Sequence, residues 1–378
     1  MYACLRYLLE QPGAVFFTLI QLGGFNKKSR IFGYIINSFL FIVLFGSIII
    51  AIFLEDLKMK KLFAAAAICA VAVAFSGCSK KTAGESKSGE RKLKIGVIQL
   101  VEHSALDANY KGFVAGLAEA GYVDGENIKI DYHNAQGEQV NCVTIAEKLI
   151  NDRDDLIFAI ATPAAQAVAN LTKDIPILIS SVTDPESAKL VQKNTAPGGN
   201  VTGTSDLTPC AAQMELLKKI VPDAKTVGML YCSSEQNSYF QVALAKAACD
   251  KLGLKYIDGT VSNANEIQQV VGNLCGKVDV IYSPTDNMIA AGMTLVSQVS
   301  NEYKIPVICG EEGMVNAGGL ATYGINYYEL GKLTAKMAVE ILRDGKKPAE
   351  MPIETLQKFD LKVNEKTEKI LGITVPRD

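Results

Sequence analysis

Residues 156–160 read Leu-Ile-Phe-Ala-Ile, and a helical pattern follows over residues 163–171. A short strand without a polar side chain is typical of a parallel sheet that helices cover on both faces. The same alternation predicts further strands over residues 93–98, 127–132 and 177–179 and from Val201, with helices over residues 110–120 and 146–150. This repetition predicts parallel βαβ units in the first half of the body.

The alternation starts again after Asp206. Strands are predicted over residues 226–231, 255–257, 278–282, 306–309 and 320–325, and helices over residues 214–221, 240–252, 267–274, 287–303 and 330–342. We therefore expect an α/β protein with two Rossmann-like lobes, joined near residues 204–208 and hinged around a central cleft. Ligands of open α/β sheets bind beyond the carboxyl ends of the strands, so the loops there are the candidates for function.

Residues 59–78, MKKLFAAAAICAVAVAFSGC, have the layout of a secretory signal. Two lysines precede an apolar run that, at roughly 20 Å of helix, is short for a membrane span. The last four residues resemble the lipobox of bacterial lipoproteins, in which the cysteine is acylated and becomes the first mature residue. We expect a signal peptide over residues 59–77, lipidation at Cys78 and a flexible polar tether over residues 78–91. A buried helix with an incidental cysteine is the alternative.

Residues 1–58 conflict with that interpretation. Residues 31–54 carry no charge and are long enough to span a bilayer, with positive residues before them and acidic residues after them. With such a span, Cys78 would not have the orientation in the membrane that a lipoprotein signal needs. Our hypothesis is that translation begins at Met59 and that residues 1–58 are an upstream extension, and the alternative is a true membrane segment.

Composition limits the function classes. The chain has 38 Lys+Arg and 40 Asp+Glu, so no basic field points to nucleic acid. Only two histidines occur, so we expect no metal site, and nothing predicts a cofactor. The six cysteines after residue 78 have no regular spacing, and we interpret them as buried free thiols, although an exported location also permits disulfides.

Several short motifs carry a family resemblance. They are EHSALD (102–107), ATPAAQA (161–167), VTDPESAKLV (182–191), PGGNVTG (197–203) and SSEQNS (233–238). In this order they resemble the ABC-transporter substrate-binding family often called tryptophan/tyrosine-type binding proteins. The resemblance implies a periplasmic-binding-protein fold of the first type, with three crossing segments and hinge closure on a small ligand. It places lobe 1 at residues 92–206 and 326–352, and lobe 2 at residues 207–325 and 353–378.

The resemblance also implies a function and its partners. We expect a lipid-anchored receptor on the extracytoplasmic side of the cell membrane, which delivers an amino acid, aromatic above all, to an ABC permease with a cytoplasmic ATPase. The candidate ligand-binding residues follow the strands: Glu102, His103, Ser104, Thr162, Pro163, Ala164, Thr183, Asp184, Ser205, Asp206, Ser233, Glu235, Asn237, Ser238, Asp286 and Glu312.

Several of these residues have a structural interpretation beside the functional one. Thr162-Pro163 and Asp184-Pro185 read as a helix N-cap followed by proline, and equally as groups for a ligand carboxylate or ammonium. Asp286 is likewise a helix cap or an ammonium acceptor. Aromatic side chains that we expect either to wall the ligand or to pack in the core are Tyr239, Tyr282 and Tyr323. We interpret PGGNVTG as a turn rather than a ligand contact.

Rival functions remain open at this stage. One is a sugar- or nucleoside-binding receptor of the same fold. The absence of tryptophan disfavours a sugar as its ligand. A sensory receptor that signals to a membrane kinase is another, because the same closure serves both outputs. We do not expect an enzyme, since G-x-S-x-G, HExxH and P-loop motifs are absent from the sequence.

Overall fold

A computed structural model describes residues 91–377. The predicted extension, signal peptide and lipidation site therefore lie outside the described residues, as does all but the last residue of the predicted tether. The first sheet comprises β1 (Leu93–Gln99), β2 (Ile128–Asn134), β3 (Leu156–Ile160), β4 (Ile177–Val182), β5 (Val201–Ser205) and β11 (Glu354–Thr355). The helices around it are α1 (Ser104–Glu119), α2 (Gln139–Asn151), α3 (Thr162–Leu171) and α10 (Tyr327–Leu342). We call this assembly the first lobe.

The second lobe is built in the same way. Its sheet comprises β6 (Thr226–Cys232), β7 (Lys255–Val261), β8 (Val280–Ser283), β9 (Val307–Cys309), β10 (Ala321–Gly324) and β12 (Asp360–Val363). Its helices are α4 (Cys210–Ile220), α5 (Gln236–Leu252), α6 (Ile267–Cys275), α7 (Asn287–Ala291), α8 (Met293–Glu302), α9 (Glu312–Asn316) and α11 (Glu365–Leu371). Two short 3-10 turns, Ala264–Glu266 and Pro348–Glu350, complete the described secondary structure.

The strand orders confirm the predicted α/β architecture. The first sheet runs β11-β5-β4-β3-β1-β2 and is parallel throughout. The second runs β12-β10-β9-β8-β6-β7, in which β12 alone is antiparallel to its neighbour. Strand β3 is buried along its whole length, as its apolar sequence predicts, and Phe158 stacks on Phe113 of α1 with ring centroids 4.0 Å apart.

The chain passes between the two sheets three times, after β5, after β10 and between β11 and β12. Helix α10 therefore belongs to the first lobe although the strand before it belongs to the second. The last crossing lies after Thr355, because β11 still pairs with β5, a few residues beyond the boundary at 353 that the sequence suggests. Three separate crossings allow the lobes to rotate about a shared hinge.

Helices α1 and α10 approach each other at glycines. A Cβ atom on Gly112 would lie 2.0 Å from the carbonyl oxygen of Tyr328, and one on Gly331 would lie 2.0 Å from the carbonyl oxygen of Asn109. Backbone therefore meets backbone at this crossing, and no larger residue fits without moving a helix. This contact holds α10 on the first lobe.

A buried polar network reinforces that contact. Asn109 donates to Ser180 Oγ over 2.7 Å, and the hydroxyl groups of Ser180, Thr204 and Thr334 lie within 2.8–3.2 Å of one another. The network joins α1, β4, β5 and α10. Because a buried polar group without a partner is costly, each member depends on the others.

Some predicted elements differ from the observed ones. The helix predicted over residues 287–303 is two helices, α7 and α8, which separate at Gly292, where a Cβ atom would meet Ile267 Cδ1 at 2.5 Å. The helix predicted to begin at Asp184-Pro185 is instead a turn, in which the Asp184 carboxylate accepts from the Ser187 amide over 2.8 Å. Asp184 does accept a hydrogen bond from a following amide, as a cap would. No apolar periodicity follows, so the turn does not continue as a helix.

The turn interpretation of PGGNVTG agrees with the structure. Gly198 has φ +75° within the turn, and Gly203 has φ +145° in β5. A side chain at Gly203 would also collide with the carbonyl oxygen of Ile179 at 2.0 Å. Glycine is therefore required where β5 lies against β4.

Two further findings concern residues 91–377. All six cysteines there are buried and free, as interpreted from their spacing: Cys142, Cys210, Cys232, Cys249, Cys275 and Cys309. None of the helices in this part of the chain combines the length and the apolarity that crossing a membrane requires. The segment over residues 31–54 lies outside it.

We predict that Gly331→Ala lowers the free energy of unfolding by about 1–3 kcal/mol, since the added methyl group forces α10 away from α1. Gly272→Ala is the matched control, because Gly272 lies inside α6 with nothing within 4 Å of its missing Cβ. The control is expected to stabilise by about 0.5–1 kcal/mol through helix propensity alone. Urea unfolding of both variants measures the two effects, and equal effects would contradict the close approach.

Candidate ligand-binding site

A small, nearly closed cavity lies between the lobes, beyond the carboxyl ends of the strands, and its volume of about 10 Å³ is enough for roughly one water molecule. The first lobe contributes His103, Leu106, Ser181, Asp206 and Tyr327. The second lobe contributes Thr285, Asp286, Asn287, Ala290 and Glu311. Because both lobes supply walls, a ligand that enters here when the lobes separate would contact both of them at once.

The cavity is acidic. Three carboxyl groups line it, those of Asp206, Asp286 and Glu311, while its lining includes no lysine or arginine among the described residues. Burial raises the pKa of Asp206 to about 6 and that of Glu311 to about 7. Burial raises the pKa of Asp286 as well, and the nearby Glu235 carboxylate adds to this rise. A cavity with this charge favours a positively charged group over an anion.

Asp206 has one oxygen engaged and one free. Tyr327, at the first turn of α10, donates its hydroxyl hydrogen to Asp206 Oδ2 over 2.7 Å. Asp206 Oδ1 is buried and has no hydrogen-bond partner within residues 91–377. A buried carboxylate oxygen without a donor is unfavourable, so Asp206 remains a candidate ligand-binding residue.

Glu235, by contrast, is fully used inside the second lobe. Its carboxylate accepts from the backbone amides of Asn287 and Met288, at 3.1 and 3.0 Å, and from the side chain of Asn237 at 3.0 Å. It therefore caps the amino end of α7, where unpaired amides favour a negative charge. Glu235 builds the wall that carries Asn287 and does not itself line the cavity.

Asp286 and Glu311 each combine a capping role with a place in the wall. Asp286 accepts from the Ile289 amide at 2.8 Å, and also from the Cys232 amide and the Ser238 hydroxyl, both at 2.6 Å. Glu311 accepts from the amides of Gly313 and Met314 at the start of α9. Both carboxyl groups are held in place by the second lobe itself.

His103 connects the lobes at the edge of the cavity. Its Nε2 lies 3.3 Å from Asn287 Oδ1, which can only accept, so Nε2 carries the proton. Burial lowers the pKa of His103 to about 4, and the ring is neutral at pH 7. Its Nδ1 is then a buried acceptor, again without a partner in the described chain.

Further polar contacts close the cleft around the cavity. Thr183 of the first lobe lies 3.2 Å from the hydroxyl of Thr285 and accepts from Gln241 over 3.1 Å. Nearer the surface, Gln236 of the second lobe donates to the Ser187 carbonyl over 2.6 Å and accepts from Gln166 over 2.8 Å. These contacts between the lobes are polar. When the lobes separate, water can form hydrogen bonds with the groups that become exposed.

The structure brings three of the predicted ligand residues into the cavity, namely His103, Asp206 and Asp286. Glu102 lines a separate open groove of about 790 Å³ on the first lobe, beside Tyr110 and Tyr132. Glu312 turns toward Lys362, with 3.4 Å between the charged atoms. Ser104 is exposed at the start of α1.

Other predicted residues support the walls from behind. Ser205 donates to the Thr183 carbonyl over 2.6 Å, and Ser233 donates to the Val261 carbonyl over 3.1 Å. Asn237 and Ser238 bind Glu235 and Asp286, as described above, and Asp184 holds its own turn. These interactions are internal to a lobe, and a ligand contact at these positions stays a prediction.

The start of α3 differs from the predicted cap. Thr162 is already helical, the residue before it is Ala161 with φ +83°, and no side chain caps this helix. Pro163 is harmless there because first-turn amides need no partner within the helix. The Ala165 amide is engaged by the Ala161 carbonyl at 3.0 Å, whereas the Thr162 hydroxyl is buried without a partner in the described structure. Thr162, Pro163 and Ala164 do not line the cavity.

The aromatic residues chosen from sequence lie elsewhere. Tyr282 is fully buried and donates to Gln213 over 2.9 Å, Tyr239 is half exposed against Tyr231, and Tyr323 packs on the core of the second lobe. The tyrosine of the cavity is Tyr327, which sequence reasoning missed together with Ser181 and Glu311. Glu311 and Glu312 are neighbours in the same loop. Burial distinguishes them: Glu311 is 98 % buried, whereas Glu312 is partly exposed.

No group of His, Cys, Asp and Glu in residues 91–377 has the arrangement of a metal site. The fold and the cleft define a class: a two-lobed receptor whose hinge cleft is lined by acidic side chains. The chain belongs to the family described as "ABC transporter substrate binding protein", whose sequence profile matches residues 94–378. Members of this family are solute receptors rather than enzymes, and those of ABC importers act on the extracytoplasmic side.

The chain is also similar to individual proteins. It is 43% identical over 304 residues to a tyrosine-binding protein of Clostridioides difficile, which covers 79% of this chain and 88% of that protein. A Streptococcus pneumoniae ABC domain in complex with L-Trp is 43% identical, with a TM-score of 0.73 over 75% of this chain and 96% of that one. A ligand-free, open substrate-binding protein with adhesive properties from Clostridium difficile is 48% identical, but its TM-score is 0.59 over 76% and 97%.

We predict that Glu235→Gln lowers the free energy of unfolding by about 2 kcal/mol, because the amides of Asn287 and Met288 lose a charged acceptor. Glu312→Gln removes the same charge from a partly exposed ion pair and is expected to change stability by no more than about 1 kcal/mol. Chemical denaturation of both variants makes the comparison. A neutral result for Glu235→Gln would show that the residue is free for ligand rather than committed to the wall.

Proposed function

We propose that this protein is the extracytoplasmic receptor of an ABC importer for an aromatic amino acid, which it holds in the cavity between its lobes. The family supports the transport role, and the tyrosine-binding and L-Trp-bound relatives support the ligand class. An ABC permease with its cytoplasmic ATPase is the partner that this role requires.

The observation that carries the ligand class is the free oxygen of Asp206. It is a buried acceptor in a cavity whose described lining contains three carboxyl groups and no lysine or arginine. An α-ammonium group supplies the missing donor and neutralises the buried charge. A sugar or nucleoside offers hydroxyl donors but no charge, so it would leave the acidity of the cavity uncompensated.

Binding and closure are coupled in this proposal. Asp206 lies at the first crossing segment, and Tyr327 lies just after the second, so the pair stands at the hinge itself. The second lobe reaches the same cavity through Asp286, Asn287 and Glu311. A ligand that contacts both walls stabilises the closed form by its differential affinity for that form, which is how a permease would distinguish loaded from empty receptor.

The ligand class is tested by calorimetry and thermal shift with the 20 amino acids, common sugars and nucleosides. An aromatic amino acid at ~100 times its Kd is expected to add about 2.7 kcal/mol to the free energy of unfolding. If no amino acid binds while a sugar or nucleoside does, the proposed ligand class is wrong. If a ligand binds but no permease gene product is bound by the loaded receptor, a sensory role replaces transport.

We predict that Asp206→Asn weakens binding of the aromatic amino acid by about 2–5 kcal/mol, which is at least about 30-fold in Kd, because the ammonium loses its buried counter-charge. Asp344→Asn is the matched control. It makes the same change in an exposed carboxylate of the first lobe, which pairs with Arg343 over 2.7 Å, and its Kd is expected to stay within about twofold of the wild type.

The pH dependence of Kd gives a second readout of the same prediction. The pKa of Asp206 in the free protein is about 6, so its carboxylate is charged above that pH and neutral below it. Affinity of the wild type is therefore expected to fall as the pH is lowered through 6. Asp206→Asn removes this component, and an unchanged pH slope in the variant would rule out Asp206 as the ammonium acceptor.

We further propose that the protein is a lipoprotein that begins at Cys78 after cleavage of the signal over residues 59–77. The lipobox-like Phe-Ser-Gly-Cys sequence and the polar stretch that follows it support this proposal. The folded part would then be tethered to the membrane surface by acyl chains.

We predict that Cys78→Ala releases the protein from membranes and leaves ligand affinity unchanged, because the anchor is separate from the folded lobes. Membrane fractionation and calorimetry measure the two properties, with Cys69→Ala, inside the apolar run, as the control that should remain attached. Continued attachment of the Cys78→Ala variant would mean that residues 31–54 are a genuine membrane anchor.

A further inference from the structure

Ser181 lines the cavity in an unusual conformation. It lies near the end of β4, its backbone has φ +54°, and its side chain is 5% exposed. Its hydroxyl oxygen is buried and lacks a hydrogen-bond partner anywhere in residues 91–377. Both features disfavour serine here, since left-handed backbone suits glycine and a buried hydroxyl needs a partner.

The backbone conformation alone does not explain the hydroxyl. Ala161, at the end of the neighbouring strand β3, also has a positive φ, +83°, and donates its amide to the Ser180 carbonyl over 3.0 Å. A positive φ thus occurs at two adjacent strand ends, and one of them has no polar side chain. The hydroxyl is what distinguishes Ser181.

The hydroxyl of Ser181 can donate a hydrogen bond but has no acceptor within the described residues, and the polar groups around it in the cavity wall are mainly acceptors. Among the other groups of the cavity wall, Tyr327 donates to Asp206, and Thr285 is engaged by Thr183 and Gln241. The wall otherwise presents carboxyl groups and the unprotonated Nδ1 of His103. A ligand carboxylate would meet repulsion from these groups unless a donor compensates.

Ser181 and Asp206 lie at the ends of paired strands. Val182 of β4 is in register with Ser205 of β5, and the Asp206 amide faces the Val182 carbonyl at 3.4 Å. Ser181 precedes and Asp206 follows that pair, so the two residues are diagonal neighbours on the order of 7–8 Å apart, and both line the same cavity. Two groups attached to one carbon atom can bridge such a distance with a hydrogen bond at each end. The ammonium and carboxylate of an α-amino acid are such groups.

We propose that Ser181 is a ligand-binding residue whose hydroxyl donates to the carboxylate of the bound amino acid, while Asp206 accepts from its ammonium. This inference rests on the proposed function, because it assigns the two halves of the ligand's head group within the same cavity. The left-handed backbone fixes the hydroxyl in advance, so little ordering is needed on binding.

The test compares Ser181→Ala with the wild type, using L-tryptophan and tryptamine, which lacks the carboxylate. Ser181→Ala is expected to raise the Kd for L-tryptophan at least tenfold and that for tryptamine less than twofold. The Tm of the free variant should equal or exceed that of the wild type, since no internal hydrogen bond is lost. Equal losses for both ligands, or an unchanged Kd for L-tryptophan, would overturn the assignment.

Two glycine variants separate backbone strain from the hydroxyl. Ser181→Gly should raise the Tm of the free protein and still weaken L-tryptophan binding at least tenfold, whereas Ala161→Gly should raise the Tm and leave Kd unchanged. A loss of affinity in Ala161→Gly as large as in Ser181→Gly would show that rigidity, not the hydroxyl, matters. If the wild type binds no aromatic amino acid, the proposed function fails; if it binds and Ser181→Ala matches it, only this inference fails.

Discussion

The close contact between α1 and α10 is the constraint on which the binding cleft depends. Gly112 and Gly331 let each helix place its backbone against a carbonyl group of the other, at Tyr328 and Asn109. This contact keeps α10 on the first lobe although the chain enters it directly from a strand of the second. As a result Tyr327, the first residue of α10, reaches Asp206 at the hinge, and the two crossing segments meet beside the cavity.

Buried carboxyl groups serve two purposes in the cleft, and their hydrogen bonds distinguish them. Glu235 is satisfied by amides and an amide side chain, and Asp286 by two amides and a hydroxyl, so both stabilise the second lobe. Asp206 keeps one oxygen unpaired within the described residues, and burial without a donor raises its pKa to about 6. A group that the fold leaves incomplete is a better sign of ligand binding than a group that is merely polar and near the cleft.

More of the fold than of the binding site could be predicted from the sequence. Apolar strands such as residues 156–160, which alternate with helical periodicity, indicate parallel βαβ units. A strand that is buried on both faces has apolar side chains at every position, and this is visible in the sequence. The sequence predicts a site in the loops at the strand ends, but it could not rank the residues within them. Glu311 and Glu312 are identical in sequence terms, and only the direction of the chain at α9 buries one and turns the other toward Lys362. Tyr327 and Ser181 were missed because the candidates were taken from the loops after the strands, whereas Ser181 still belongs to β4 and Tyr327 already belongs to α10.

Local periodicity along the chain is enough to predict the α/β class and the two repeated halves, and the shared edge of parallel strands identifies the loops in which a ligand site is expected. Which polar atoms are already satisfied is known only from the folded arrangement. Asn287, Cys232 and Tyr327, which donate to Glu235, Asp286 and Asp206 respectively, lie 52, 54 and 121 residues away along the chain. Whether a carboxylate supports the wall or remains free for a ligand depends on those distant partners, which no local pattern records.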